Sequence, residues 1–172
     1  MRSTIACVTA FSAALCLGGA ALAKPELLGE FGDWKAFKSA DGGAQVCYAL
    51  SQPKKTEPGN VKRDPIFFII SNFPARQVKG EPSIVIGYPF KDGSKATVTV
   101  GGATFSFVTV NAGTDGAAWI VDGATEQKLI AAMRDGANMT VKGTSKRGTN
   151  TTDTYSLSGA SGALDRINQE CP

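Results

Sequence analysis

Between Met139 and Leu157 the chain alternates apolar and polar side chains twice. Met139 and Val141 fall on one face of the first run, with Thr140 and Lys142 on the other. Arg147, Gly148, Thr149 and Asn150 make a polar break. The alternation then resumes over Thr152 to Leu157, with Tyr155 and Leu157 sharing a face. The pattern predicts a hairpin over 139–157 with a short helix after it. Leu164, Ile167 and Cys171 in that helix stand at i, i+3 and i+7, so they form one stripe aimed at the sheet.

Upstream, 24–29 reads as a lead-in, and a first strand is predicted over 31–37, with a turn over 39–43 and a second strand over 44–50. Residues 51–65 carry three prolines and make the longest loop. The runs 66–70 and 84–88 are apolar on both faces, as strands under two covering layers should be. Gly101-Gly102 has the composition of a two-residue hairpin turn. Pairing outward from it sets Val100 against Ala103, Val98 against Phe105 and Ala96 against Phe107, all on one face. A one-residue slip would send both phenylalanines to the threonine side. Asp115-Gly116 reads as a further turn before a strand over 117–121. One helix is predicted over 125–134, with Leu129, Ile130 and Met133 on its stripe and Gly136 as its stop. The sum is a mainly β fold: a two-layer β-sandwich or flattened barrel of eight or nine strands, with one crossover helix and a short C-terminal helix.

The first 23 residues change this picture most. Arg2, the apolar run from Ile5 to Leu17 and the small-x-small site Ala21-Leu22-Ala23 have the layout of a secretory signal. The run is too rich in Ala and Gly for a membrane span, which takes about 20 strongly apolar residues. Removal of 1–23 leaves a single domain over 24–172 with no integral membrane segment. Cys7 and Cys16 leave with it, so Cys47 and Cys171 remain. In an oxidising compartment two cysteines most simply form one disulfide; two buried free thiols are the other reading.

Charge adds little. The net charge of +3 falls by one with Arg2, too little for a nucleic-acid binder of this size. Lys54, Lys55, Lys62 and Arg63 cluster in the long loop, where a solvated loop explains them better than a binding patch does. The chain has no histidine, which removes histidine-based nucleophilic sites, histidine-ligated zinc and histidine general bases. No cofactor motif and no metal-ligand spacing is present. A carboxylate pair drawn from Glu30, Asp33, Asp115, Asp122 and Asp153 is the surviving route to hydrolysis. Ser94-Lys95 and Ser145-Lys146 are adjacent on strands and so face opposite ways. Trp34, Trp119, Lys142 and Lys146 are candidates for a binding surface, although aromatic side chains in a β fold more commonly fill the core. Asp153 shares strand parity with Tyr155 and Leu157 and leans inward, where an unpaired carboxylate is expensive. Arg147 is the nearest cation across the turn, so Arg147, Asp153 and Tyr155 are expected to form a structural brace.

Several segments resemble a known family. Phe31-Gly32-Asp33-Trp34, Cys47-Tyr48, Gly87-Tyr88-Pro89-Phe90 and Ala118-Trp119 are among them. The most specific are Ser145-Lys146-Arg147-Gly148-Thr149 and Asp153-Thr154-Tyr155-Ser156-Leu157 with Cys171. Together they are similar to the invasion-associated locus B family of small exported proteins of Gram-negative bacteria, some linked to entry into host cells. The resemblance implies a periplasmic or surface-associated, non-enzymatic protein with an envelope or host-surface partner. It supplies no catalytic residues. The alternative from the residues alone is a carboxylate-dependent hydrolase acting on polysaccharide or peptidoglycan. N-terminal sequencing of the exported protein should begin at Lys24; a mature chain that still starts at Met1 would remove the export reading.

Overall fold

A computed structural model describes residues 24–172; the expected signal segment, 1–23, lies outside the described residues. Within them an eleven-stranded antiparallel sheet runs in the order β1-β2-β3-β5-β6-β9-β8-β7-β10-β11-β4, without closing. The strands are β1 (Glu26–Phe31), β2 (Trp34–Asp41), β3 (Ala44–Ser51), β4 (Lys55–Glu57), β5 (Phe67–Phe73) and β6 (Val78–Val85). They continue with β7 (Lys95–Val100), β8 (Ala103–Ala112), β9 (Asp115–Trp119), β10 (Asn138–Thr144) and β11 (Asn150–Ser156). Two helices, α1 (Gly123–Asp135) and α2 (Ala160–Glu170), complete it. No helix among the described residues is long and apolar enough to cross a membrane, which leaves strand-built crossings unaddressed.

The strongest alternations fold as their periods require. Val100 pairs Ala103, Val98 pairs Phe105 and Ala96 pairs Phe107 around Gly101-Gly102. On β10 and β11, Met139, Val141, Tyr155 and, beyond the strand, Leu157 are all buried. The sheet folds over so that this face meets β2, β3 and β5. Phe68 stands at the join, with the rings of Trp34, Phe107 and Tyr155 edge-on at 6.3, 6.2 and 6.1 Å. Each such pair contributes on the order of 1 kcal/mol beyond its burial. Trp34 Nε1 donates to the Ser156 carbonyl at 3.0 Å, which joins the first hairpin to the last.

Four predicted boundaries move. Phe31 and Trp34 pair across a two-residue Gly32-Asp33 turn, so the single strand expected over 31–37 is two, and 24–29 supplies most of β1. The next turn is Gly42-Gly43, since β2 runs on to Asp41. The later turn falls at Gly113-Thr114, because Ala112 pairs Asp115, and Asp115-Gly116 is in strand β9. The run 84–88 leaves the sheet at Val85, two residues before the chain bends at Gly87. The expected eight or nine strands become eleven with β1 and β4. Three residues connect β3 to β4, and over them the chain passes from one half of the sheet to the far edge of the other. Bends of this kind make the corners of a sandwich.

Both open edges are short of free ladder. β1 has a register shift between Leu27 and Gly29, and Arg166 Nε of α2 donates to the Leu28 carbonyl. β4 spans only Lys55–Glu57, between Pro53 and Pro58.

Each helix covers an opening. In α1, Leu129 and Met133 are buried, and Asp122 caps the start by accepting from the Thr125 N–H at 3.0 Å. In α2, Ala160, Ala163, Leu164 and Ile167 are buried. Cys171 follows Ile167 inward and is bonded to Cys47 of β3, with 5.9 Å between the α-carbons. Asn72, itself buried, donates to the Cys171 carbonyl at 3.0 Å and to Asn168 Oδ1 at 2.9 Å. Lys38 holds Glu170 at 2.8 Å, and each ionisation is favoured by the other: the lysine pKa is raised and the glutamate pKa lowered. The disulfide spans 124 positions, long enough that in the chain-entropy view it removes much of the unfolded state's freedom. Cys47→Ser should therefore lower unfolding free energy by ~2–5 kcal/mol in denaturant titrations. An unchanged midpoint would show that Asn72 and the apolar stripe hold α2 unaided.

Candidate functional site

Asp153 lies between Thr151 and Tyr155 on the inward face of β11, and all three are buried. The strand's period forces the carboxylate inward, so it needs a cation. Arg63 supplies it from the long loop, with its side chain only 6% exposed. Arg63 Nη1 donates to Asp153 Oδ1 at 2.6 Å and Nη2 to Oδ2 at 2.8 Å, the two-pronged geometry at which guanidinium and carboxylate match best. Nε and Nη2 also reach the Ile86 carbonyl, at 3.1 and 2.6 Å. The guanidinium lies over the Tyr88 ring, 4.9 Å from its centre. Four of its five N–H donors are thus committed inside the protein.

The loop that carries Arg63 is held by close backbone contact. Asp64 N–H donates to the Gly87 carbonyl at 3.1 Å. Gly87 has φ +74°, and a Cβ there would stand 2.3 Å from the Asp64 carbonyl oxygen, so only glycine fits. The bend at Gly87 presents Tyr88, whose hydroxyl shares a 2.6 Å hydrogen bond with Thr151. Burial pushes the Tyr88 phenol pKa up, against the smaller opposing effects of that bond and of Arg63.

The third wall is the β10–β11 turn. Ser145 N–H donates to the Thr149 carbonyl at 2.9 Å, and Gly148 N–H to the Ser145 carbonyl at 2.8 Å. Ser145 Oγ accepts from the Thr149 N–H at 3.1 Å, and Gly148 takes the left-handed conformation at φ +85°. That is a three-residue hairpin loop with its glycine at the one position that demands it. Lys146 and Arg147 occupy the tip. Lys146 N–H donates to the Pro89 carbonyl and Lys91 N–H to the Thr144 carbonyl, at 2.8 and 2.9 Å, so the turn is docked onto the segment after Gly87.

Between these walls lies a half-open cleft of about 610 Å³. Lys62, Lys146, Arg147, Tyr88, Thr149 and Thr151 are among its lining residues, with Asp64 its exposed carboxylate. Arg63 and Asp153 neutralise each other at the floor. The rim keeps three cations against one acid. None of Lys62, Lys146 and Arg147 has a carboxylate partner within 4 Å among the described residues. The other four described arginines, Arg63, Arg76, Arg134 and Arg166, all have one. Arg147 therefore does not form the expected brace with Asp153. Tyr155 is in the core, where burial raises its phenol pKa.

Of the residues expected at a binding surface, Lys146 lines the cleft. Trp34 is fully buried against Phe68 and cannot line a surface. Trp119 is half-buried on β9 between Ser83 and Val108, and Lys142 is exposed on β10; neither lines the cleft. The candidate carboxylates are dispersed. Glu30 meets Lys35 at 2.6 Å, Asp33 meets Lys54 at 2.7 Å, Asp122 caps α1 and Asp115 opens β9. Hydrogen bonds from Lys54 and Ser156 lower the Asp33 pKa. No group of three His, Cys, Asp or Glu side chains is placed to hold a metal among the described residues. Arg63, the residue that builds the floor, gave no sequence signal beyond membership of a basic loop.

The family model for invasion associated locus B (IalB) protein matches residues 34–168, a span that contains Arg63, Asp153 and the 145–149 turn. Among solved structures, the chain is similar to the crystal structure of invasion associated protein B from Bartonella henselae. The TM-score is 0.59 at 17% identity, over 86% of this chain and 97% of that one. At that identity the likeness concerns the fold. No curated protein matches the chain.

Breaking a buried ion pair strands a charge, at a cost of ~3–5 kcal/mol. Arg63→Ala and Asp153→Ala should each destabilise by about that much, and the double variant by less than the two together. Arg147→Gln should stay within about 0.5 kcal/mol of the parent, as substitutions of unpaired surface residues do. Denaturant titration of the four variants checks this; a large loss in Arg147→Gln would restore the brace.

Proposed function

The chain belongs to the invasion associated locus B family, and we propose that it is an exported, non-enzymatic binding protein of the bacterial envelope that contributes to host-cell entry. Its partner is an envelope or host-surface molecule, and it acts in the periplasm or at the cell surface. The observation that supports this reading most is the cleft, where Lys62, Lys146 and Arg147 have no carboxylate partner among the described residues, over a floor that is already neutral. A protein retains unpaired cations around a concave site at some cost in self-repulsion, which a ligand relieves.

Two further features support it. The disulfide suits an oxidising compartment and so favours export. Four of the five candidate carboxylates are spent on an ion pair, a helix cap and two lysines, and Asp115 stands apart from them at the start of β9, which favours binding over catalysis.

The test is a pull-down from envelope and host-surface fractions, using mature protein and an Arg147→Gln/Lys146→Gln variant. A partner retained by the parent and released by the variant is the expected result. Equal capture by both would move the binding site away from the cleft. Release of soluble fragments from peptidoglycan or polysaccharide by the parent would make the protein an enzyme.

A further inference from the structure

We infer that the cleft takes an acidic saccharide, one or two sugar rings bearing a carboxylate or sulfate. The inference deepens the binding reading above and rests on it. Three kinds of surface meet in the cleft. Arg147 and Lys146 at the turn tip, with Lys62 opposite, supply cations with no internal partner. Arg147 brings a planar fork suited to two oxygens of one anion. Thr149 supplies a hydroxyl that both donates and accepts, and the Tyr88–Thr151 pair, which already shares one hydrogen bond, keeps one further proton and its remaining lone pairs for the hydroxyls of a sugar. Val61 and Pro89 give small apolar walls for the faces of a ring. The volume of about 610 Å³ lies within the range of small-molecule sites.

Competing ligands fit less of this. A bare phosphate would use the cations and leave the hydroxyl wall and most of the volume unfilled. A nucleotide needs an aromatic face on which to stack its base. Tyr88 is the aromatic lining residue, and its ring is already engaged by the Arg63 guanidinium at 4.9 Å and by Phe90 edge-on at 5.7 Å. The charge is also local. Lys62, Lys146 and Arg147 less Asp64 come to +2, the whole net charge of the chain once Arg2 is set aside. The rest of the molecule carries no net charge, so the excess positive charge is accounted for by this one site.

Calorimetric titration of the disulfide-intact mature protein tests it. The probes are trigalacturonate, a heparin tetrasaccharide, neutral maltotriose, inorganic phosphate and a polyglutamate peptide. Binding of trigalacturonate or the heparin tetrasaccharide is expected, with none for maltotriose. Binding of trigalacturonate shows that a carboxylate suffices; binding of the heparin tetrasaccharide alone, which carries uronate carboxylates as well as sulfates, shows that sulfate is required. Arg147→Gln should weaken binding about tenfold or more, as loss of a charged hydrogen-bond pair does. Lys142→Gln, outside the cleft, should leave it unchanged, and added salt should weaken it. Binding unaffected by Arg147→Gln, or equal binding of polyglutamate or phosphate, would overturn the saccharide assignment. Silence from both acidic sugars would overturn it too. In that last case a pull-down partner lost on Arg147→Gln/Lys146→Gln would still uphold the binding reading. Failure of both would remove the cleft as a site.

Discussion

The Arg63–Asp153 ion pair is the contact on which the candidate cleft of this molecule depends. A carboxylate with no exposure cannot be tolerated alone, and Asp153 has no freedom to turn outward, because its neighbours Thr151 and Tyr155 fix the strand's parity. The loop between β3 and β5 must therefore deliver a cation to the middle of β11. It does so only because Asp64 and Gly87 come into backbone contact, and Gly87 in turn aims Tyr88 and Pro89 at the 145–149 turn. One buried charge thus gathers three segments, 90 residues apart at the extremes of the pair, into one concave surface.

The sequence made some of this legible and concealed the rest for identifiable reasons. Asp153's parity announced a buried carboxylate needing a partner, which is what the fold contains. The partner was not readable, because the nearest cation along the chain, Arg147, is at a turn tip facing solvent, whereas Arg63 arrives through the topology. Local periods were reliable: the Gly101-Gly102 register and the Leu164, Ile167, Cys171 stripe stand as the spacing requires. The Gly32-Asp33 turn was hidden because Phe31 and Trp34 on either side are both apolar, so one strand seemed to run through it. Strand β4, three residues of Lys-Thr-Glu, has no apolar pattern at all and exists because Thr152 to Thr154 offer it a ladder. Trp34 stands among the binding-surface candidates because aromatic character alone does not separate core from surface; it takes the commoner place, in the core, and its Nε1 bond to Ser156 shows how a polar tip is satisfied inside.

Arg63 and Arg147 show how one residue type serves two ends in this fold. Arg63 has four of its five donors filled by Asp153 and Ile86 and its plane covered by Tyr88, so it acts as an internal strut. Arg147, exposed at the tip of its turn, lines the cleft and has no carboxylate partner among the described residues. Membership of the family and the likeness to the Bartonella fold are consistent with a common scaffold.

The two sheet edges have a consequence for how this protein can meet others. An open eleven-stranded sheet would ordinarily invite a visiting chain to extend it, which is how many extracellular modules capture extended peptides. Here one border is kinked at Leu28 and latched by Arg166, and the other is a three-residue strand closed off by Pro53 and Pro58. Neither offers a run of free amides long enough to template a newcomer. Recognition by backbone zippering is thereby denied, to partners and to sister copies alike, and contact has to be made by side chains on a preformed surface. Wherever unfolded polypeptides are abundant, that refusal protects a β-rich protein from indiscriminate adhesion.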